Sequence, residues 1–169
     1  MTTRTRMNVY FDPALLKQID ALAMRRKVSK SAIVEAATAR QIVILNEAHN
    51  ISGHRGFAAR VMRALRPLGF DTFAAETFGG MGGYRAGAPL NSRSGYYTAD
   101  PVYAETVREA ATLGYVFADY EQRADQRAPA DSAIDARTTA REIAQAQNLI
   151  ETVLKPRPEA RVLVQCGYM

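Results

Sequence analysis

Residues 41–49 read Gln41-Ile42-Val43-Ile44-Leu45-Asn46-Glu47-Ala48-His49. The unbroken apolar run suits a strand covered on both faces. It is followed at once by polar, chemistry-bearing side chains. Toward the carboxyl end, His54 to Leu65 has helical periodicity, with Phe57, Val61, Met62 and Leu65 on one side, and Pro67 and Gly69 end it. Phe70 to Ala75 predicts a second strand, with Glu76 after it. A glycine-rich loop occupies residues 79–95, a length typical of functional or mobile segments. Pro101 opens a helix to about Leu113, and Tyr115–Ala118 forms a third strand leading into Asp119-Tyr120-Glu121. Residues 122–131 read as loop and Ile134–Leu154 as a long helix broken by Pro156 and Pro158. Arg161–Gln165 is the last strand. Strands alternating with helices at this spacing predict a mainly parallel α/β sheet over residues 41–169. The final strand is expected to be exposed and prone to aggregation unless covered.

Toward the amino end the pattern differs. Met7, Val9 and Phe11 alternate with Arg6, Asn8 and Tyr10, the period-2 signature of a half-buried strand. Asp12-Pro13 is a helix start, and Leu15, Leu16, Ile19, Leu22 and Ala23 recur at helical spacing. Ser29 caps a second helix from Lys30 to about Ala39. Residues 1–40 hold 8 Lys/Arg against 3 Asp/Glu, whereas residues 41–169 hold 14 of each, so the whole net charge of +5 lies in the first quarter. Basicity confined in this way favours a polyanionic partner for that quarter alone.

Composition narrows the classes further. One cysteine, Cys166, excludes an internal disulfide framework and fits a reducing, cytoplasmic setting. With two histidines, it also excludes a zinc finger. There is no apolar run of transmembrane length and no secretory h-region, so no membrane partner is expected. Phosphate-binding Gly-rich motifs and a Gly-x-Ser-x-Gly elbow are absent.

The candidate site residues stand at strand ends. Glu47 and His49 follow the first buried strand, Glu76 the second, and Asp119 and Glu121 the third, so a parallel sheet would gather them at one crevice. Histidine is the side chain whose ordinary pKa lies near neutrality. His49 is therefore a candidate base or metal ligand, with Glu47 or Glu76 orienting it or sharing a divalent metal with it. Cys166 reads as a small buried residue rather than a nucleophile.

Residues 4–38 resemble the ribbon-helix-helix DNA-binding family of the Arc, MetJ and CopG types. The Arg6-Asn8-Tyr10 strand, the Asp-Pro helix start and Val28-Ser29-Lys30-Ser31 carry the likeness. The resemblance implies a homodimer through residues 6–38 that acts in transcription regulation. Its two-stranded ribbon would place Arg6, Asn8 and Tyr10 in the major groove of DNA, with Ser29 and Lys30 at a phosphate. Residues 41–169 resemble the superfamily joining erythromycin esterases, Tiki proteases and ChaN-type haem-uptake proteins. The residues carrying this second likeness are Glu47-Ala-His49, Glu76, Arg137, Arg141-Glu142 and Gln145-Ala-Gln-Asn148, with Tyr97, Pro101 and Arg108 in similar surroundings. It implies hydrolysis at the first-motif histidine, or binding of a divalent metal, haem or another small molecule. Asn46 stands where that family has glycine. A second histidine motif is expected just beyond Met169, so the α/β domain is expected to be incomplete and inactive as it stands.

Overall fold

The computed structural model describes residues 36–79, 84–91 and 93–167. The ribbon, the first helix and most of the second helix expected over residues 1–40 lie outside the described residues, as do Arg6, Asn8, Tyr10, Ser29 and Lys30. From residue 36 onward the chain is an α/β unit with a four-stranded parallel sheet.

In chain order the elements are β1 (Ile42–Glu47), α1 (Ser52–Leu65), β2 (Phe70–Ala75), α2 (Pro101–Thr112), β3 (Val116–Ala118), α3 (Ile134–Leu149) and β4 (Arg161–Gly167). The end of α3 widens into a π-helical turn over Ile150–Leu154, which completes the expected long helix. The strands lie in the order β1-β4-β2-β3. The connections β1→β2 and β2→β3 run one way along the sheet, and β3→β4 returns the other way. Right-handed crossovers that reverse direction put their helices on opposite faces. The core divides accordingly. Phe73, Ala75 and Leu163 pack with Val61, Met62 and Leu65 of α1 and Tyr103, Val107 and Ala110 of α2. Ala74, Val162 and Val164 point the other way, toward Leu149 at the end of α3 and Val153 and Leu154 in the turn that follows. The period of two thus persists within strands that are apolar throughout.

Four expectations are corrected here. The last strand is not exposed: β4 runs between β1 and β2, pairing with both, and Val162, Leu163 and Val164 are buried. Among the described residues the edges are β1 and β3. Consequently β1, expected to be covered, has Ile42, Val43 and Ile44 only partly buried, although both of its faces touch core clusters. On α1, Phe57 is 37% exposed and Ala58 takes the inward place instead. The helix also begins earlier than expected, at Ser52, and His54 Nδ1 accepts the Ala48 N–H at 3.0 Å, tying the first turn back to β1. Asp100 starts α2 by accepting the N–H groups of Val102 and Tyr103 at 2.8 and 3.0 Å. Among the described residues no helix is long and apolar enough to cross a membrane.

Leu163 is fully buried at the centre of the sheet. Leu163→Ala is expected to destabilise the unit by about 2–5 kcal/mol, through lost burial and the cavity left behind. Urea unfolding followed by circular dichroism measures it; a loss below about 1 kcal/mol would contradict the central position of β4.

Candidate functional site

Because β4 lies between β1 and β2, Glu47, Gly167 and Glu76 become neighbours at the carboxyl ends of their strands. Such a crevice, at the point where strand order reverses, is where parallel sheets build their sites. Glu47, His49, Glu76, Tyr97, Gln165 and Gly167 all line one small cavity there, of about 10 Å³.

Glu47 is the buried anchor of the crevice. Its Oε1 accepts Arg55 Nε at 3.3 Å and Arg55 Nη2 at 3.2 Å, and it meets His49 Nδ1 at 3.1 Å. Its Oε2 accepts from Gln165 Nε2. Arg55 is equally buried and sits in the first turn of α1. It also donates to the His49 carbonyl at 3.1 Å and pairs with Asp100 Oδ2 at 2.6 Å. The rings of Tyr97 and Tyr103 each lie 5.2 Å from its guanidinium carbon, so aromatic faces close the sides that no carboxylate covers. Burial alone would raise the Asp100 carboxyl. The Tyr103 N–H and the Arg55 charge outweigh it and hold the group below its usual value.

His49 has a defined orientation. With Glu47 ionised, chemistry assigns the hydrogen to Nδ1, which donates it, and leaves Nε2 as the acceptor. Tyr97 stacks on the imidazole, with centroids 4.4 Å apart and planes 20° from parallel. The Nε2–Cε1 edge of the ring lies against Gly167, where an added Cβ would come 1.9 Å from Nε2 and 2.1 Å from Cε1. Tyr97 is delivered by the glycine-rich loop, whose end turns into a short 3-10 helix at Tyr96–Ala99. The Tyr97 N–H donates to Thr77 Oγ1 at 2.8 Å. Gly95, at φ 151°, allows this approach, because a Cβ there would come 2.6 Å from the Thr77 carbonyl oxygen. Burial, with help from Glu76 and Glu47, raises the Tyr97 hydroxyl above its ordinary pKa, so it remains a neutral stacking partner.

Glu76 holds a second layer. Its Oε2 accepts the Gly167 N–H at 2.9 Å, and its Oε1 accepts Gln145 Nε2 at 3.2 Å and pairs with Arg141 Nη2 at 3.2 Å. Arg141 and Gln145 belong to α3 and also grip Glu121, with Arg141 Nη2 to Oε2 at 2.5 Å. Burial pushes the Glu121 carboxyl up, but the Arg141 hydrogen bond and charge push it down further, and the net shift is downward. Arg141 is correspondingly raised, first by that hydrogen bond. The third strand end is therefore joined to the site through α3, although Asp119 lines a separate cavity of about 430 Å³ bounded by β3 and the end of α3.

The geometry brings Glu47, His49 and Glu76 to one crevice. Among the described residues no group of three His, Cys, Asp or Glu side chains is placed to hold a metal ion. The oxygens of both glutamates already take hydrogen bonds from Arg55, Gln165, Gly167 and Gln145. Sequence reasoning missed Arg55, Tyr103 and Gln165. Arg55 looks like one more cation of a solvated helix face, and Gln165 like a routine strand-end polar residue.

No protein-family model and no curated protein matches the chain. One solved structure, described as "Bacterial protein toxins", is similar at 14% identity and a TM-score of 0.48, over 92% of this chain and 42% of that one. The chain thus spans less than half the length of that structure.

Cys166 donates to Asn46 Oδ1 at 2.5 Å, and burial pushes its thiol up to about 12. Below that value it stays protonated, so the folded protein is expected to resist iodoacetamide at pH 8 and to react within minutes in 6 M guanidinium. Mass spectrometry of the alkylated peptide checks this; equal labelling in both states would show an exposed thiolate.

Proposed function

We propose that residues 41–169, even without the second histidine motif expected of the resembled superfamily, carry an acid–base hydrolytic site, with His49 as general base and Glu47 as the group that orients it. The observation that supports this reading is the His49 Nδ1–Glu47 Oε1 contact of 3.1 Å beside a small cavity, which leaves Nε2 as the proton acceptor. An ester of a small molecule is the substrate class that fits the resemblance to erythromycin esterases. Water attacks the ester carbonyl while its proton passes to Nε2. The carbon–oxygen bond to the leaving group breaks, and that proton goes to the departing alkoxide. Glu47 stays ionised throughout and offsets the charge of the transient imidazolium. Haem and metal binding are less well supported, because both glutamates are engaged in hydrogen bonds. With p-nitrophenyl acetate, His49→Ala is expected to lower kcat/KM on the order of 100-fold or more without changing the far-ultraviolet circular dichroism. Equal rates in wild type and variant would overturn the assignment.

A second reading concerns residues 1–40 and is favoured by the +5 charge concentrated there. In it the chain is a cytoplasmic, homodimeric, DNA-binding transcription regulator of ribbon-helix-helix type, and the α/β unit is its appended domain. Duplex binding is then expected to weaken steeply with salt. Arg6→Ala, Asn8→Ala and Tyr10→Ala should each cost about 1–3 kcal/mol at a preferred sequence. Fluorescence anisotropy on labelled duplexes measures both. Affinity unchanged in all three variants would remove DNA reading from the strand.

A further inference from the structure

Gln165 is 3% exposed, and its two polar atoms fare differently. Nε2 donates to Glu47 Oε2, which fixes the amide the right way round, since a carboxylate accepts only from the NH2 side. Oε1 is then buried with no hydrogen-bond partner among the described residues. An orphaned amide oxygen costs about 1–3 kcal/mol, so native folds keep one only where something else supplies a donor.

The surroundings limit what that donor is. Gln165 lines the same 10 Å³ cavity as His49, Glu47, Glu76, Tyr97 and Tyr103. That volume is about the room one water molecule requires. Arg55 serves Glu47, the His49 carbonyl and Asp100, the Gly167 N–H serves Glu76, and the hydroxyls of Tyr97 and Tyr103, whose residues also line the cavity, make no hydrogen bond to Gln165 Oε1. Of the polar atoms around the cavity, His49 Nε2 and Gln165 Oε1 are both acceptors. A water molecule is the smallest species with two donors to give.

We infer that Gln165 Oε1 and His49 Nε2 together hold the water consumed in hydrolysis, which makes Gln165 the residue that positions the nucleophile. The inference rests on the hydrolytic reading for its consequence, and on the orphaned oxygen and the cavity for its existence. One water O–H points to Gln165 and the other to Nε2, so the remaining lone pairs face outward. Attack forms the bond from that oxygen to the carbonyl carbon, and the proton aimed at His49 is the one transferred. The same Gln165 amide steadies Glu47, so one side chain sets both the base and its water.

Two measurements on the full chain test this. A high-resolution crystal structure is expected to show a single ordered water within hydrogen-bond distance of Gln165 Oε1 and His49 Nε2. A cavity with no water, or a water that does not touch Gln165, overturns the inference whatever the activity. Gln165→Met keeps the volume and removes both polar atoms. It is expected to lower kcat on the order of 100-fold while KM for p-nitrophenyl acetate changes less than about twofold. Methanol, with one O–H to give where the site uses two, should not compete with water in the wild type, but should yield methyl acetate in Gln165→Ala. Unchanged kcat in folded Gln165→Met, or methanolysis by the wild type, overturns the role in positioning. An ordered water in a wild type that hydrolyses nothing would support the water site and refute the hydrolytic reading.

Discussion

The Glu47–Arg55 ion pair is the constraint on which the rest of the site depends. Both side chains are almost fully removed from water. Desolvating two charges costs several kcal/mol each, and their attraction offsets this only when geometry is good and the remaining hydrogen-bonding capacity is used. Here it is used widely: Arg55 reaches Glu47, the His49 carbonyl and Asp100, and Glu47 also takes Gln165 and His49. The network therefore ties the end of β1 to α1, to the cap of α2 and to β4. Losing either ion would leave the other buried and alone, which is worth on the order of 3–5 kcal/mol. An apolar pair would pack the same space at less electrostatic cost. What it would not supply is a fixed carboxylate beside an imidazole.

That carboxylate matters because His49 is otherwise held only by surfaces. Tyr97 stacks on the ring and Gly167 lies against its Nε2–Cε1 edge. Stacking sets the plane of the imidazole, while the Gly167 contact and the Glu47 hydrogen bond set its rotation within that plane. Three remote pieces of chain thus converge on one ring: the loop that ends in Tyr97, the carboxyl end of β4, and β1. Glu76 secures the second of these through the Gly167 N–H, so a residue that touches His49 only indirectly still governs the space beside it.

The elements were legible in the sequence because apolar periodicity reports burial directly. Glu47, His49 and Glu76 were legible because polar groups just after apolar strands must lie near a sheet edge or crevice. Strand order was not legible. The run Arg161–Gln165 has the same apolar character whether central or terminal, and only the reversal of the β3→β4 crossover places it between β1 and β2. Arg55 was hidden for a related reason. Ser52-Gly-His-Arg55-Gly reads as a polar first turn, and nothing local says that Glu47, eight residues earlier, will fold back over it. Gln165 was hidden because an unpaired amide oxygen is a property of its surroundings, not of its neighbours in sequence.

The sheet also separates the two ends of the chain's business. Arg161 opens β4, lies 4.3 Å from the Phe70 ring, and donates to the carbonyls of Ala37 at 2.6 Å, Thr38 at 3.1 Å and Arg40 at 2.7 Å. A cation at the last carbonyls of a helical segment is favourably placed, and this one secures the residues that join the amino-terminal quarter to the sheet. Gly167 closes the same strand beside His49. Six residue steps at about 3.3 Å each put roughly 20 Å between the two. The junction sits at the amino pole of the sheet and the crevice at the carboxyl pole. Residue 40 therefore enters the sheet at the pole opposite His49, and β4 alone spans the distance between them.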